Sequence, residues 1–559
     1  MATVTGLADE LLDAVNEQDP LPATLSGFRD RDDRLSDYSR AGEDAAAARL
    51  ADILARTRAL DQAALPASDR LTCAVIEAHG GAVLDQLAAR SVEYTITPLY
   101  LAPAAQLLFG LPMIGIVEPA HAEGYLARLR GIPRMLSTVA ERHRAGVAAG
   151  RLPVRCLVDA AVAHLDRYLA NRDGNPLRRP HPPTDGTVDA VAFAAERDRL
   201  IDGVVRTAFA QYRTVLAEEI APHGRPEDRP GLCWLPGGDG SYGRLIRAHT
   251  TVERSAEDLH RTGLELIERL GEEYRSIGGR VFGAIALPDL FERLRTDPAL
   301  RWQDGAEILT TARAVIARAE QVAPRWFGRL PRGRCTVQAV PADEAPGAPG
   351  GNYLRAAMDG SRPAIYFANT YRAQERDRYS AEAVAYHEAI PGHHIQVALA
   401  QELTDLPMLR RLAPIDAFAE GWGLYAERLA DEMGLYSGDL ARLGMLAGDS
   451  TRAARLVVDT GIHAYGWHRQ RVVEFMRANT PMPHVDIEQE TNRYIAAPGQ
   501  ALAYLVGRLE IERIRAGARH ALGQRFDIRG FHDAVLGNGE IPLGALAQVI
   551  DEWVGAQSR

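Results

Sequence analysis

The stretch YHEAIPGHHIQ, residues 386–396, contains three histidines and a glutamate within eight positions. Neutral imidazole is the commonest zinc ligand, and a glutamate directly after a ligand histidine is where HExxH enzymes hold their general base. The pattern departs from HExxH, because proline occupies position 391, where the second histidine is expected. The candidate metal ligands are therefore His387 with His393 or His394, and the candidate base is Glu388.

Helix geometry requires this segment to bend if two of its histidines are to bind one ion. In a regular helix His393 lies about 240° around the axis from His387, and His394 lies about 340° around but about 10.5 Å further along. Pro391 removes a helical hydrogen bond, and Gly392 permits unusual backbone angles. We expect a kink that swings a following histidine back toward His387. The alternative is a kinked surface helix with solvated histidines.

A third ligand is predicted in the next strongly helical segment, PIDAFAEGWGLYAERLADEMG, residues 414–434. Glu420 stands among apolar residues of this segment, an unusual place for a solvent-facing carboxylate. Glu427 follows seven residues later and can share its face, or it can be a surface ion-pair partner. Two histidines and one glutamate, with a fourth position open to water, form a catalytic zinc arrangement.

Six motifs along the chain have a recognisable pattern: DPLPATLSGFRDRDDRLSDYS (19–39), HEAIPGHHIQ (387–396), AFAEGWGLYAERL (417–429), DTGIHAYGWHR (459–469), PGQALAYLVGRLEI (498–511) and FHDAVLGNGEIPL (531–543). Together they resemble the family of domain of unknown function 885 (DUF885), which is distantly similar to helical zinc peptidases of the gluzincin type, such as the thermostable carboxypeptidase and thimet oligopeptidase families. The resemblance covers nearly the whole chain.

The resemblance implies a mainly helical, metallopeptidase-like body with a deep cleft. It implies that His387, His393 and Glu420 hold one zinc ion, or another divalent cation, per chain. Glu388 would be the general base. His394 would lie beside the metal or in the wall of the substrate pocket.

Three further candidates lie toward the C-terminus. His463, one turn after Asp459, resembles the late histidine by which gluzincins hold substrate or stabilise the oxyanion; the alternative is a core histidine. Tyr504 and Arg508 stand four residues apart on one helix face. The tyrosine could donate a hydrogen bond to an oxyanion, and the arginine could bind a substrate carboxylate. The alternative is a tyrosine–arginine packing pair.

A β-hairpin is predicted just before the histidine-rich helix. Residues 350–358 and 362–369 have strand character, and MDGSR at 358–362 is a turn. Tyr353 and Tyr366 on this hairpin could bind an extended peptide at an edge strand. The alternative is a purely structural hairpin.

Apolar periodicity elsewhere predicts helices, so we expect a mainly α fold with a small β-element before residue 380. The predicted helical segments are 44–62, 120–147, 187–220, 255–276, 305–324, 380–404, 416–433 and 501–522. We expect an N-terminal helical part, 1–240, and a catalytic part, 241–559, that together form one compact unit.

Composition excludes several classes of protein. The net charge is −10 and the pI about 5.9, so the chain has no basic footprint for nucleic acid. All 64 cationic residues are arginine, which excludes a Schiff-base or P-loop lysine. Four scattered cysteines form no CxxC pair and favour a cytoplasmic protein. The first twenty residues do not resemble a signal peptide. Uncharged residues 94–117 contain three prolines and are expected to form buried interior or a channel wall, not a membrane span.

These features together predict a zinc-dependent hydrolase that cleaves peptide-like amide bonds in short peptides. A specialised metabolic hydrolase acting on one small amide or ester remains an alternative, because the same zinc–water chemistry serves both. A catalytically silent binding protein that keeps the pocket is a third possibility. The predicted base and ligands are all present, which favours an enzyme.

Overall fold

The computed structural model describes residues 3–342, 345, 348–358 and 362–558, and these residues are mainly helical. The α-helices are α1 Val4–Gln18, α2 Pro20–Leu25, α3 Arg40–Arg58, α4 Ala67–Ala89, α5 Pro103–Gly110, α6 Pro119–Ala148, α7 Arg155–Ala170, α8 Ala190–Leu200, α9 Arg206–Thr214, α10 Gly238–Thr250, α11 Ala256–Phe282, α12 Leu287–Thr296, α13 Gly305–Val322, α14 Ala381–Glu388, α15 His393–Glu402, α16 Met408–Leu412, α17 Asp416–Glu432, α18 Asp439–His463, α19 Arg469–Asn479, α20 His484–Ala496, α21 Ala503–Leu522, α22 Ile528–Leu536 and α23 Leu543–Gln557.

The predicted helices are confirmed, with ends that differ by a few residues. The segment predicted at 187–220 begins at Ala190 and includes two π-helical stretches, Ile201–Val205 and Val215–Ile220. The segment predicted at 380–404 is divided into α14 and α15 by a break at residues 389–392. This break is the expected kink, and it belongs to the candidate site.

The predicted hairpin is confirmed and belongs to a three-stranded sheet. The strands are β1 Cys335–Ala339, β2 Gly351–Leu354 and β3 Ala364–Ala368, in the order β1-β3-β2. β2 and β3 pair antiparallel, with Tyr353 opposite Tyr366, and β1 pairs parallel with β3. The middle of the predicted turn, residues 359–361, lies outside the described residues. The parallel strand β1 was not predicted, because its pairing with β3 is not a local feature of the sequence.

Three apolar cores hold the helices together. The first combines α1, α3 and α4 with the sheet and most helices after residue 232. The second lies among residues 92–221, with a contribution from Leu21. The third joins the start of α7 to α18, α19 and α20. Helices from both sides of residue 240 therefore share the first core, which also contains the helices of the candidate site.

The uncharged stretch 94–117 contributes to the second core. Ile96, Leu107 and Leu111 are buried there, whereas the stacked rings of Tyr100 and Phe109 are exposed. Proline opens the short helix α5, which spans only part of the stretch. Among the described residues, no helix is both long enough and apolar enough to cross a membrane.

Candidate metal centre

The break between α14 and α15 brings His393 back beside His387. The Ile390–Pro391 peptide bond is cis, and the backbone amide of His394 donates to the carbonyl oxygen of Ala389 at 3.0 Å. A Cβ atom at Gly392 would clash with the carbonyl oxygen of His387, so this close turn requires glycine. The rings of His387 and His393 consequently lie 4.7 Å apart between centroids and nearly perpendicular.

Glu420 on α17 completes a three-residue cluster with these histidines. Its Oε2 lies 3.4 Å from His387 Nε2 and 3.6 Å from His393 Nε2. One ligand atom from each of the three residues falls within 4.8 Å of the others. Two imidazoles and one carboxylate at this spacing fit a zinc ion with an open fourth position. The side chains of Glu420 and His393 are 25% and 13% exposed, so the cluster is accessible from one side.

The glycines of the sequence EGWG, residues 420–423, explain how α17 reaches this position. A Cβ atom at Gly421 would lie 2.5 Å from the Cα of Gly507, so α17 and α21 cross in close backbone contact. A Cβ atom at Gly423 would lie 2.6 Å from the His387 ring. Trp422 Nε1 donates to the carbonyl oxygen of Pro391 at 3.0 Å and ties α17 to the break between α14 and α15.

Glu427, for which the sequence left two roles open, belongs to the candidate centre. It is buried, and its Oε1 accepts a hydrogen bond from Nδ1 of His387 at 2.9 Å. This bond orients the ring so that Nε2 faces Glu420. A carboxylate on the second nitrogen of a ligand histidine is the usual support of a zinc site. The signal in the sequence was the spacing of seven residues, about two helical turns, which places Glu427 on the same helix face as Glu420.

The electrostatics of the cluster favour a cation. Burial by itself lowers the pKa of His387, but hydrogen bonds to Glu420 and Glu427 raise it to about 10. Burial by itself raises the pKa of Glu420, but the two histidines hold it well below its usual range. The two carboxylates therefore stabilise positive charge on the His387 imidazole.

Glu388, the predicted base, lies next to this cluster at the end of α14. Burial raises the pKa of its carboxyl group, while the nearby imidazoles of His387 and His393 oppose the shift. The backbone of Tyr353 on β2 forms a hydrogen bond with this carboxylate. A partly buried carboxylate beside a metal site is suited to exchanging protons with a reacting group.

The structure also brings Tyr504 to the cluster. Burial raises the pKa of its phenol, and the charge of Glu420 on the neighbouring helix α17 raises it further. In the described part of the chain the hydroxyl group of Tyr504 has no hydrogen-bond partner. It is therefore available to a ligand.

Tyr353 and Tyr366 face each other across the β2–β3 pair near Glu388, and His394 contacts Tyr353. His394 Nε2 donates to the carbonyl oxygen of Gly333 at 3.1 Å, and its Nδ1 accepts from the Tyr353 hydroxyl at 3.2 Å. Both ring nitrogens are thus occupied, and His393 is the histidine that faces His387. Tyr366 is buried. Burial is the main cause of the rise in its pKa, and the charge of Glu388 is the second cause.

Two predicted site residues are engaged elsewhere. Arg508 is buried, and its Nη1 donates to Asp449, so its charge is already paired. His463 is fully buried; its Nδ1 accepts from the amide of Leu232 at 3.2 Å and its Nε2 donates to the carbonyl oxygen of Tyr494 at 2.9 Å. The structure places His463 in the core, and Arg508 in a buried ion pair. Helical spacing could not reveal these partners, because they come from distant parts of the chain.

Comparison with known proteins identifies relatives of unknown function. Residues 20–550 match the family described as bacterial protein of unknown function (DUF885). A crystal structure from Colwellia psychrerythraea, described as a "putative lipoprotein", is 26% identical, with a TM-score of 0.91 and full coverage of both chains. A second structure, described as a "putative lipoprotein of unknown function" from Shewanella oneidensis, is 18% identical and has a TM-score of 0.74. That match covers 98% of this chain and 100% of the Shewanella chain.

No curated protein matches the chain. The Shewanella structure, at its low identity, supports the fold alone. The family match covers nearly the whole chain and includes the break between α14 and α15 and the helix that carries Glu420. The sequence motifs and the matched range agree, and the chain therefore belongs to the DUF885 family.

Proposed function

We propose that this protein is a zinc-dependent hydrolase that cleaves amide bonds of short peptides, with Glu388 as its general base. The observation that carries the proposal is the set of three ligand atoms, from His387, His393 and Glu420, within 4.8 Å of one another. Glu388 follows the first ligand directly in sequence, and Glu427 supports that ligand from behind. This is the ligand set and base of a catalytic zinc site rather than of a closed structural one.

The residues around the centre supply the remaining steps of amide hydrolysis. Zinc, or another divalent cation, supplies Lewis acidity when bound. Glu388 accepts a proton from the attacking water and delivers it to the leaving amine as the carbon–nitrogen bond breaks. The free hydroxyl of Tyr504 donates a hydrogen bond to the oxygen of the carbonyl group as negative charge develops there.

A peptide substrate is favoured over a compact small molecule by the position of β2. This strand lies at one end of the strand order, and the backbone of its Tyr353 contacts Glu388. An extended peptide could therefore pair with β2 while its carbonyl group approaches the base. A hydrolase for one small amide or ester would not need this edge strand.

Metal content tests the centre first. We expect untagged protein to contain about one zinc ion per chain by inductively coupled plasma mass spectrometry, and the His387→Ala variant to contain almost none. His484→Ala is the matched control, because His484 is 64% exposed on α20 and should retain the metal. Equal metal content in the two variants would show that this cluster is not the zinc site.

Turnover then separates an enzyme from a silent binding protein. We expect Glu388→Gln to keep its zinc but to lose about 10²- to 10⁴-fold in the rate of peptide hydrolysis, because the base is removed while the ligands remain. Zinc-loaded wild-type protein that cleaves none of a diverse peptide and amide library would instead favour the binding protein.

A further inference from the structure

Two arginines of α18 surround the ring of Tyr504 beside the metal centre. The guanidinium of Arg455 lies 4.8 Å from the ring centroid, and that of Arg452 lies 5.8 Å from it. Tyr504 stands on α21, which crosses α17, the helix of Glu420, in close backbone contact at Gly507 and Gly421. Positive charge is therefore concentrated at a tyrosine whose hydroxyl has no partner among the described residues, and Arg452 also lies 3.7 Å from Glu427, the partner of His387.

Arg455 is incompletely neutralised within the protein. Its side chain is 11% exposed and pairs with Glu490 at 2.9 Å. The same carboxylate also pairs with Arg493 at 2.8 Å, so two guanidinium groups share one negative charge. Nη1 of Arg455 is buried and has no hydrogen-bond partner among the described residues. A buried donor without a partner is costly, and a ligand carboxylate would satisfy it.

Arg452 has more unused hydrogen-bond donors than Arg455. In the described part of the chain its guanidinium makes no hydrogen bond. Its ion-pair partner is Glu427, at 3.7 Å, which already accepts a hydrogen bond from His387, and Asp449 is a further acidic neighbour. The Arg452 side chain is 21% exposed, so a ligand can reach it. The planar guanidinium is suited to binding a carboxylate through two hydrogen bonds.

We propose that Arg452 and Arg455 form a carboxylate subsite beside the metal centre, so that the substrates are short peptides with a free carboxylate near the scissile bond. This inference rests on the proposed hydrolase function and defines its substrate class. The carboxylate is either the C-terminus of the peptide or an acidic side chain. It replaces the role predicted for Arg508, whose guanidinium pairs with the fully buried Asp449.

Three tripeptides distinguish these sources: Ala-Leu-Ala with a free C-terminus, the same peptide as its amide, and Ala-Leu-Asp amide. Binding is measured by calorimetry on zinc-loaded Glu388→Gln protein, and cleavage by mass spectrometry on protein with Glu388 intact. We expect at least about tenfold tighter binding, and a matching preference in kcat/KM, for one of the two carboxylate-bearing peptides over the neutral amide.

Arg452→Gln should reduce that preference to near unity without loss of zinc. It should also fold normally, because Arg452 makes no hydrogen bond in the described structure and is partly exposed. Arg513→Gln is the matched control, since Arg513 is 65% exposed on α21 and pairs with Glu510. Equal or undetectable binding of all three peptides, or a preference that survives Arg452→Gln, would overturn the subsite. Cleavage of the neutral amide would still support the hydrolase.

Discussion

His387 is held by contacts on three sides of its ring. Glu427 accepts from Nδ1, Glu420 faces Nε2, and Gly423 leaves space for the ring itself. The ligand role of a histidine is thus decided by what its second nitrogen does. His394 illustrates the opposite case, because both of its nitrogens already bind other groups.

His463 provides a test at the scale of one residue. Burial lowers its pKa to about 4, so the folded protein holds the ring neutral. An unfolded histidine has a pKa of about 6.5 and binds a proton below that value. The stabilisation is therefore present above pH 6.5 and is lost as the pH falls toward 4, with a loss of about 2 kcal/mol already at pH 5.

We expect His463→Gln to lower the free energy of unfolding by about 1–3 kcal/mol at pH 7, because a buried hydrogen bond is disturbed. The difference from wild type should shrink by about 2 kcal/mol at pH 5, since the variant lacks this titration. Urea unfolding at both pH values measures the difference, and zinc content should not change. A variant that remains fully stable but loses turnover would restore the catalytic role for His463.

At the scale of secondary-structure elements, the crossing of α17 and α21 positions the site. Gly421 and Gly507 let the two backbones touch, which places Glu420 on one helix close to Tyr504 on the other. The break between α14 and α15 also brings two side chains of the site together, because it turns His393 back toward His387. Close approach of backbones, rather than long side chains, therefore assembles the centre.

Alanine substitution on α21 tests this arrangement. A Cβ atom at Gly507 would clash with the carbonyl oxygen of Ala417, whereas one at Gly517 would meet nothing within 4 Å. We expect Gly507→Ala to cost about 1–3 kcal/mol of stability and to reduce zinc content, because α17 must shift. Gly517→Ala should instead stabilise the protein by about 0.5–1 kcal/mol. Urea midpoints and metal analysis compare them; equal midpoints would mean that the helices do not need close contact.

At the scale of the whole molecule, the first core joins the two ends of the chain. Leu7 and Leu11 of α1, Ile53 of α3 and Val75 of α4 are completely buried in it, and apolar side chains of the helices that form the candidate metal centre pack into the same core. The second core is formed mainly by residues 92–221. In sequence, these residues follow α4 and precede the predicted catalytic part, 241–559. The first helices of the chain therefore pack into the same core as the helices of the candidate site.

The isolated fragment 241–559 tests whether the catalytic part can stand alone. It contains all three candidate ligands and the base, but it lacks the N-terminal side chains that fill the shared core. We expect it to unfold without a cooperative transition and to hold no stoichiometric zinc, because the exposed core surface is large and apolar. A fragment with full-length cooperativity and one zinc ion would establish an independent domain boundary at residue 240.

The sequence by itself determined the helical class, the positions of eight helical segments, the β2–β3 hairpin and a candidate ligand set of His387, Glu420 and one of the two histidines His393 and His394. These follow from local periodicity, from Pro391 and Gly392, and from the unusual position of an acid in an apolar segment. Only the tertiary structure decided the choice between His393 and His394, the support by Glu427, and the pairings that separate Arg508 from Arg452 and Arg455. Those choices depend on partners that lie far away in the chain, and a pattern of residues does not encode which buried charge is already neutralised by another.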